Sequence, residues 1–260
     1  LFMADDQGLW RCALNEYPST QEFLKYHAAN TVIFSLEIAS GLAYTKDRLF
    51  EVALAAFYHD IGLAAYKDLV MKTEKLKRDA YEAVKHHSAE GVKLAHSIDA
   101  SLSQSVQDTI MQEHERLDGS GYPLGLKDTQ INEVSQIVGL ASAYEAMTHA
   151  RVYGATYTSM EATRLIVDNK KSFDPRIKKA LINRIGVFPI GTLVRLSTNE
   201  IGLVIKHNPR LPLRPVVQVM FDLRGVQMKE EKILDLSGNL MIYVDSCVEK
   251  HKAEATGVKL

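Results

Sequence analysis

The chain has 260 residues, 46% of them hydrophobic, which is enough to bury a sizeable core and to leave room for a second, small domain. Its 31 basic and 32 acidic residues give a net charge of −1, so no field of one sign favours nucleic acid or an anionic membrane as a partner. The two cysteines, Cys12 and Cys247, lie near opposite ends, which excludes a disulfide framework and favours a reducing, cytoplasmic compartment.

Apolar residues recur at spacings of three and four from Phe23 to about Ile185, which is typical of amphipathic helices. The stretches 21–42, 128–147 and 159–167 show this period clearly. No uninterrupted apolar stretch reaches the roughly 18 residues that a membrane helix needs, so we expect no membrane span in this chain. The pattern predicts a mainly α-helical domain.

The adjacent pair His59 and Asp60 follows the apolar run 52–57, so both side chains are expected to be partly buried. A buried aspartate is costly unless something cationic faces it. Two further histidines fit the same picture: His27, in the helical stretch 21–42, and His87, four residues before Gly91. Histidine and carboxylate side chains together suit first-row transition metals such as Mn, Fe, Ni or Zn.

The run Glu113–Pro123 places a candidate ligand, His114, directly before a loop that no ordinary helix could contain. Gly119, Gly121 and Pro123 end any helix that reaches His114 and favour a tight turn. A ligand in the last turn of a helix, followed by a tight polar loop, can hold an ion next to a substrate-binding rim. The run therefore predicts a functional site.

The period of the sequence changes near Gly186, where short runs rich in β-branched residues begin. Turn residues at 198–200 and 208–210 separate several of these runs. They predict a small antiparallel barrel or curled sheet of about 70 residues, for which a packing or dimer contact is the expected role. The runs cover residues 193–196, 201–205, 216–221 and 240–244.

The ordered motifs of the helical part resemble the HD-GYP domain over roughly residues 20–185. The motifs are His27, then His59-Asp60-Ile61-Gly62, then His87 with Gly91, then the loop from His114 to Pro123, and then Tyr144 to Thr148 with Arg151. The resemblance implies an HD-superfamily helical fold. Active members of this family hydrolyse cyclic di-GMP, giving the linear dinucleotide or GMP, at a centre of two or three metal ions.

The resemblance also implies roles for individual residues. Asp60 is the expected catalytic residue, and the dinucleotide is expected to be held by Arg151, Gly121 and Tyr122. One or two divalent transition-metal ions are expected, with Fe or Mn favoured and Ni or Zn as alternatives. Their implied ligands are His27, His59, Asp60, His87, Glu113 and His114.

The implied fold class is mainly α, with an HD-superfamily helical bundle followed by a small antiparallel β barrel-like domain. The helical domain is expected over residues 20–185 and the β-rich domain over residues 186–260. Upstream sensory domains are common in this family, so residues 1–19 are interpreted as the end of such a part.

Five positions depart from the family pattern. Leu63 replaces a lysine that helps to hold substrate phosphate, and Ser142 replaces a metal-binding aspartate. Glu113 exchanges an imidazole ligand for a carboxylate, which still binds such metals. Gly154 stands where a basic residue is expected, and Phe23 stands where trimetal members place a glutamate, so we do not expect a third metal.

Two classes of function follow. In the first, the chain is a phosphodiesterase of cyclic di-GMP signalling with reduced activity, because losing one contact to the transition state costs on the order of a hundredfold in rate. In the second, it is a degenerate, non-catalytic module that senses a nucleotide or engages a partner, such as a GGDEF-type protein or a second copy. A weaker alternative is hydrolysis of a smaller phosphate ester. The sequence leaves open whether the chain is an enzyme.

Each motif also has an ordinary interpretation. His59 and Asp60 are then a buried, hydrogen-bonded pair retained from an ancestral site, and residues 118–123 are a structural turn. The spacing to Gly91 favours His87 over its neighbour His86 as a ligand. The histidines interpreted as ordinary hydrogen-bonded residues are His96, His149, His207 and His251.

Overall fold

The computed structural model describes residues 23–71, 76–149 and 156–248. Several positions named above lie outside these ranges: the segment 1–19 with Cys12, the pair Arg151 and Gly154, and His251. Within the described residues the chain forms two compact units. The first runs up to Tyr157 and includes Ala162–Leu181, and the second joins Thr158–Glu161 to the chain from Ile182 onward.

The chain from residue 23 to residue 185 is mainly helical, as the spacing of its apolar residues predicts. Short 3-10 helices cover Ile61–Tyr66 and Asp128–Gln130. The α-helices are α1 (Phe23–Gly41), α2 (Lys46–Tyr58), α3 (Lys67–Val70), α4 (Arg78–Val84), α5 (His87–Ile98), α6 (Gln104–Gln112), α7 (Glu133–Thr148), α8 (Ser159–Asp168) and α9 (Pro175–Ile185).

One face of α1 is buried, and part of that face is polar. Phe34 and Ile38 are fully buried there, one turn apart, as expected for the apolar face of an amphipathic helix. One to two turns earlier the same face buries His27 and Asn30. Buried polar side chains cost free energy unless they have partners, so this end of α1 is where the helix contributes to a site.

Helix α7 is buried along most of its length and lies at the centre of the first unit, where it packs against α1, α2 and α6. Its N-cap residue, Asn132, accepts a hydrogen bond from the Val134 amide at 2.9 Å. Tyr144 of α7 meets Phe34 of α1 edge to face, with 5.3 Å between ring centroids. This contact fixes α1 against α7.

Helix α6 ends at the residues that the sequence singles out as ligands. Ser103 caps its start by accepting a hydrogen bond from the Val106 amide, and the Glu113 amide donates to the Thr109 carbonyl at 2.9 Å. Beyond the helix, the Arg116 guanidinium donates to the Glu113 carbonyl at 2.9 Å. That bond satisfies a carbonyl that the helix end leaves without an intrahelical partner.

The 3-10 helix Ile61–Tyr66 packs directly against α5, and a glycine makes this close approach feasible. A Cβ atom on Gly62 would lie 2.0 Å from the His87 carbonyl oxygen and 2.8 Å from the Gly91 amide nitrogen. Backbone atoms at such distances cannot give way without moving the helix. Gly62 therefore lets the segment that follows Asp60 lie against the helix that begins with His87.

The second unit contains an antiparallel sheet with strand order β4-β3-β2-β1-β5. Its register pairs Val194 with Gly202, Leu203 with Gln218 and Gln218 with Ile233. A small core of Leu193, Ile201 and Phe221 lies against one face. The strands are β1 (Leu193–Leu196), β2 (Ile201–Lys206), β3 (Val216–Phe221), β4 (Gln227–Asp235) and β5 (Val244–Cys247).

The sheet departs from the sequence prediction in three respects. Of the predicted strand 240–244, only Val244 belongs to β5, because Leu240, Met241 and Tyr243 lie exposed in the preceding loop. Strand β4 was missed, since its charged sequence gives no apolar alternation. Within the described residues β4 and β5 are the open edges of the sheet, so closure into a barrel is not confirmed.

No helix in the part of the chain that the structure describes has the length and hydropathy needed to cross a membrane.

We expect Gly62→Ala to destabilise the helical unit by about 1–3 kcal/mol or more, because the added methyl group has no space against the His87 carbonyl. The measurement is the urea midpoint of the transition followed by far-UV circular dichroism on chelated protein. Gly238→Ala is the matched control, since the nearest atom to its Cβ is the Asp235 oxygen at 4.0 Å. Equal midpoints for the two variants would contradict the packing described for Gly62.

Candidate metal centre

The structure brings together all six residues that the sequence singles out as metal ligands. His27 lies in α1, and His59 and Asp60 directly follow α2. His87 is the first residue of α5, and Glu113 and His114 directly follow α6. Their side chains form two groups that share Asp60. The first group is His27, His59 and Asp60, and the second is Asp60, His87, Glu113 and His114.

The two carboxylate oxygens of Asp60 face different groups. Its Oδ2 lies 3.4 Å from His27 Nε2 and 3.4 Å from His59 Nε2. Its Oδ1 lies 3.4 Å from His87 Nε2 and 4.0 Å from His114 Nε2. Asp60 is therefore the residue that both ligand groups have in common, and it would be shared between them if each group held an ion.

Two of the histidines are held by backbone carbonyls that contact their Nδ1 atoms. Nδ1 of His59 lies 2.6 Å from the Ala56 carbonyl, and Nδ1 of His87 lies 2.6 Å from the Val84 carbonyl. Because a carbonyl only accepts, Nδ1 carries a proton in each ring, and Nε2 is the nitrogen that faces Asp60 and would bind an ion. This arrangement is typical of histidine ligands, whose second nitrogen is fixed by an outer partner.

His27 is held by a carboxylate instead of a carbonyl. Its Nδ1 contacts Oε2 of Glu145, a fully buried residue of α7. Asn30 donates to Oε1 of the same carboxylate at 3.1 Å, and Nδ1 of His149 lies 3.4 Å from that oxygen. Glu145 therefore fixes the orientation of His27, and His27 Nε2 faces Asp60 and the hydroxyl of Ser142, the latter at 3.3 Å.

Several buried carboxylate oxygens at the centre lack a hydrogen bond. Among the described residues no donor satisfies Oδ1 of Asp60 or either oxygen of Glu113, although Glu113 Oε1 contacts His114 Nε2. Glu113 is 1% exposed, so water does not readily solvate it. A buried carboxylate is strongly unfavourable unless positive charge or hydrogen-bond donors face it, and a bound divalent cation would add that charge. The donor set therefore fits divalent metal ions.

The pKa values of the cluster indicate the same need for positive charge. Burial lowers the pKa of His27, but the carboxylates of Glu145 and Asp60 outweigh burial and raise the pKa to about 9. Burial by itself raises the pKa of Asp60, yet the neighbouring imidazoles, His59 first, hold that pKa well below its usual value. The centre thus keeps its carboxylate ionised and stabilises cations beside it.

The centre opens into a cleft of about 140 Å³. Leu63, only 8% exposed, forms part of its apolar wall in the position of the expected lysine. The ring of Phe23 stacks on His27 with 5.4 Å between centroids, so an apolar side chain packs where trimetal members carry a glutamate. Ser142 supplies a hydroxyl beside His27 in place of the expected carboxylate.

The loop after His114 is anchored by a residue to which the sequence analysis assigns no role. Glu115 is buried, and its carboxylate accepts hydrogen bonds from the amides of Leu124, Gly125 and Leu126 at 2.6, 3.1 and 3.0 Å. Gly121 packs on the chain before it, since a Cβ there would lie 2.4 Å from the His114 carbonyl oxygen. The loop is held by these contacts close to the ligands.

The predicted substrate-binding residues on this loop lie beside the second ligand group. The ring of Tyr122 stacks on His114 with 4.4 Å between centroids and 25° between planes. Burial raises the pKa of the Tyr122 hydroxyl, so it stays protonated and can donate a hydrogen bond. Gly121 and Tyr122 thus occupy a rim of the centre, while the third predicted contact, Arg151, lies outside the described residues.

Sequence reasoning missed the residues that support the ligands. Glu145 and Glu115 are fully or almost fully buried acids, but nothing in a single sequence separates them from exposed glutamates. His149 was interpreted as an ordinary hydrogen-bonded histidine, and it is buried beside Glu145, where it adds to the network that holds His27. The burial of a carboxylate in a central helix becomes visible only in the fold.

Comparison with known proteins agrees with this geometry. A family model described as "HD domain" matches residues 15–177, which is more than half of the chain. A model described as "KOW domain associated with HD domain" matches residues 193–256. The chain is 30% identical to a cyclic di-GMP phosphodiesterase of Pseudomonas aeruginosa over 84% of its own length and 53% of the relative's.

It is also 31% identical to the cyclic di-GMP phosphodiesterase PdeB of Borreliella burgdorferi, over 72% of its own length and 50% of the relative's. The chain therefore spans about half the length of these curated relatives. The solved structure of an HDG"Y"P protein from Bdellovibrio bacteriovorus superposes with a TM-score of 0.57 at 20% identity, covering 69% of this chain and 57% of that chain. This likeness confirms the predicted fold.

The chain belongs to the HD domain family, within its HD-GYP group.

We expect His59→Ala and Asp60→Ala to abolish metal uptake, because the first removes a ligand and the second removes the bridge between both groups. Metal content after purification with added Mn is measured by mass spectrometry. Mn at about a hundred times its dissociation constant should stabilise the unaltered protein by roughly 2.7 kcal/mol and leave both variants unchanged. His96→Ala, at an exposed position on α5, is the control. Full metal content in both variants would show that the ligands are wrongly assigned.

Glu115→Gln should loosen the loop, because an amide of nearly the same size keeps one accepting oxygen and sets its NH2 group against a backbone amide that also donates. We expect a loss of about 1–3 kcal/mol in the free energy of unfolding. Hydrogen exchange at the amides of Leu124 and Leu126 should speed up. Glu230→Gln, at an exposed position on β4, should change neither quantity. Unaltered exchange in Glu115→Gln would mean that the carboxylate does not hold the loop.

Proposed function

We propose that this chain is a metal-dependent phosphodiesterase of the HD-GYP type that hydrolyses cyclic di-GMP or a closely related cyclic dinucleotide. The observation that carries the proposal is the shared position of Asp60 between two groups of ligands with unsatisfied buried oxygens. The curated relatives named above are cyclic di-GMP phosphodiesterases, which supports the choice of substrate class.

Divalent ions at such a centre supply the chemistry of diester hydrolysis, because they lower the pKa of water and neutralise charge on the phosphoryl oxygens. The protein's own residues do the positioning. Asp60 would be a ligand common to both groups, and Glu145 orients His27 so that its Nε2 faces Asp60 and would be available to an ion. Tyr122 forms the wall of the second group and offers a hydroxyl to the substrate.

The proposed metal content is one or two ions, with Mn or Fe favoured. The second ligand group contains two carboxylates, Asp60 and Glu113, beside two imidazoles. Carboxylate oxygen shifts preference toward harder ions such as Mn, whereas imidazole suits Fe, Ni and Zn. A mixed donor set of this kind favours Mn or Fe over metals that prefer sulfur or purely nitrogen ligands.

Two features of the cleft support a reduced rate. Leu63 offers an apolar surface where a charged group would stabilise phosphate, and Ser142 is a neutral neighbour of the first ion site. These two positions also favour the second candidate function, a module that binds a cyclic dinucleotide without cleaving it. A GGDEF-type partner, a homodimer and a cytoplasmic location remain predictions from the sequence.

The deciding experiment is incubation of the Mn-loaded and Fe-loaded protein with cyclic di-GMP, followed by chromatography of the products. The proposal expects the linear dinucleotide or GMP at a rate that falls to background in Asp60→Ala. Metal-loaded protein that binds the dinucleotide and leaves it intact would overturn the enzymatic proposal in favour of the binding module. Cleavage that is unchanged in Asp60→Ala would show that another component catalyses it.

Leu63→Lys combined with Ser142→Asp should raise the rate of cyclic di-GMP hydrolysis by at least about tenfold, since each change restores an electrostatic contact to the transition state. A lysine at position 63 can extend its ammonium group from the wall into the cleft. Leu63→Met with Ser142→Ala is the matched control, which alters the same positions without adding charge. No gain in kcat for the charged pair would mean that another feature limits the reaction.

A further inference from the structure

Among the residues that the structure describes, the cleft beside the candidate centre is lined by no side chain with a permanent positive charge. None of its described lining residues is lysine or arginine, and its walls are largely apolar and aromatic, with Leu63, Val84 and Tyr122 among them. A cyclic dinucleotide carries two negatively charged phosphodiesters. At least one of them needs a cation from the protein, because a desolvated phosphate without a charged partner is costly.

Lys85 lies at the lip of this cleft. It follows Val84, the last residue of α4, and its Nζ atom lies 5.0 Å from the ring centroid of Tyr81 and 5.4 Å from that of Tyr122. Both rings line the cleft. The ammonium group is therefore held over two aromatic faces at the opening, an arrangement that stabilises a cation.

Lys85 is close to the second ligand group through a stack of rings. Its ammonium group lies over Tyr122, and the ring of Tyr122 stacks on His114 at 4.4 Å. A single aromatic ring thus separates the cation from a predicted metal ligand. A phosphate that extends from the ions past the edge of Tyr122 would reach the Lys85 ammonium group.

The present partner of Lys85 can be exchanged. Nζ donates to both carboxylate oxygens of Glu82, at 2.9 and 3.0 Å. The Glu82 side chain is 55% exposed and that of Lys85 is 27% exposed, so solvent screens the pair. Exposed pairs three residues apart on a helix contribute little to stability, and a dianionic substrate competes for the ammonium group on favourable terms.

We propose that Lys85 is a substrate-binding residue that leaves Glu82 and pairs with a phosphate of the bound cyclic dinucleotide. The inference rests on the proposed function, since it names a cation that pairs with that substrate in addition to the predicted contact Arg151. In this proposal Lys85 contributes to the affinity for the dinucleotide and takes no part in the hydrolysis itself.

The test compares Lys85→Met, which keeps the apolar stem over the rings, with the unaltered protein and with Lys93→Met, at an exposed position on α5. Lys85→Met should raise KM for cyclic di-GMP about tenfold, the effect of losing one charge-assisted hydrogen bond. Its kcat and metal content should change little. Lys85→Arg should keep most of the affinity, and Lys93→Met should match the unaltered protein.

Glu82→Gln separates substrate binding from a structural role. If Lys85 served only to hold α4 through its ion pair, Glu82→Gln would raise KM as much as Lys85→Met does, and the proposal would be overturned. The proposal expects KM in Glu82→Gln to stay the same or to fall, because the ammonium group is released. An unchanged KM in Lys85→Met would also overturn it.

Direct binding of a slowly hydrolysed phosphorothioate analogue of cyclic di-GMP distinguishes this inference from the proposed function. If the unaltered protein cleaves cyclic di-GMP and Lys85→Met binds the analogue normally, the inference about Lys85 is wrong and the proposed function stands. If the unaltered protein binds the dinucleotide without cleaving it, and Lys85→Met binds it about tenfold more weakly, the inference stands and the proposed function is wrong. If the unaltered, metal-loaded protein neither binds nor cleaves the dinucleotide, both are wrong.

Discussion

The largely enclosed position of Asp60 among four imidazoles is the constraint on which the first unit depends. A carboxylate in this position is tolerable only with positive charge around it, and the fold brings in His27, His59, His87 and His114 from separate helices to supply or hold that charge. The raised pKa of His27, about 9, shows how strongly the site stabilises a cation. Divalent ions would satisfy the same demand while leaving the imidazoles neutral.

Hydrogen bonds and close packing around the centre hold the candidate ligands in position. Backbone carbonyls fix His59 and His87, and a buried glutamate fixes His27, so the ligand nitrogens are directed before any ion arrives. Gly62 permits the close approach of the segment after Asp60 to α5. Glu115 anchors the loop that places Tyr122 against the ligands. Preorganisation of this kind reduces the reorganisation that binding and reaction require.

The sequence predicted the helical part, most strands and the six candidate ligands that the fold brings together, because helical period and motif order are local or family signals. It could not predict partners that meet only in the fold. Glu145 lies 118 residues from His27, and the pair is visible only when α7 packs on α1. Strand β4 carries a run of consecutive charged residues, 229–232, and was missed, whereas the run before β5 is apolar but exposed in a loop. Tertiary context decided both cases.

The central claim is that Asp60 is a ligand of every ion that the centre holds. Anomalous X-ray diffraction from crystals of the Mn-loaded protein, collected on both sides of the Mn absorption edge, locates such ions directly. The account predicts one or two anomalous peaks, beside His27 and His59, beside His87 and Glu113, or at both places, each with an Asp60 oxygen as a ligand. A peak remote from Asp60, or no peak in metal-loaded crystals, would contradict it.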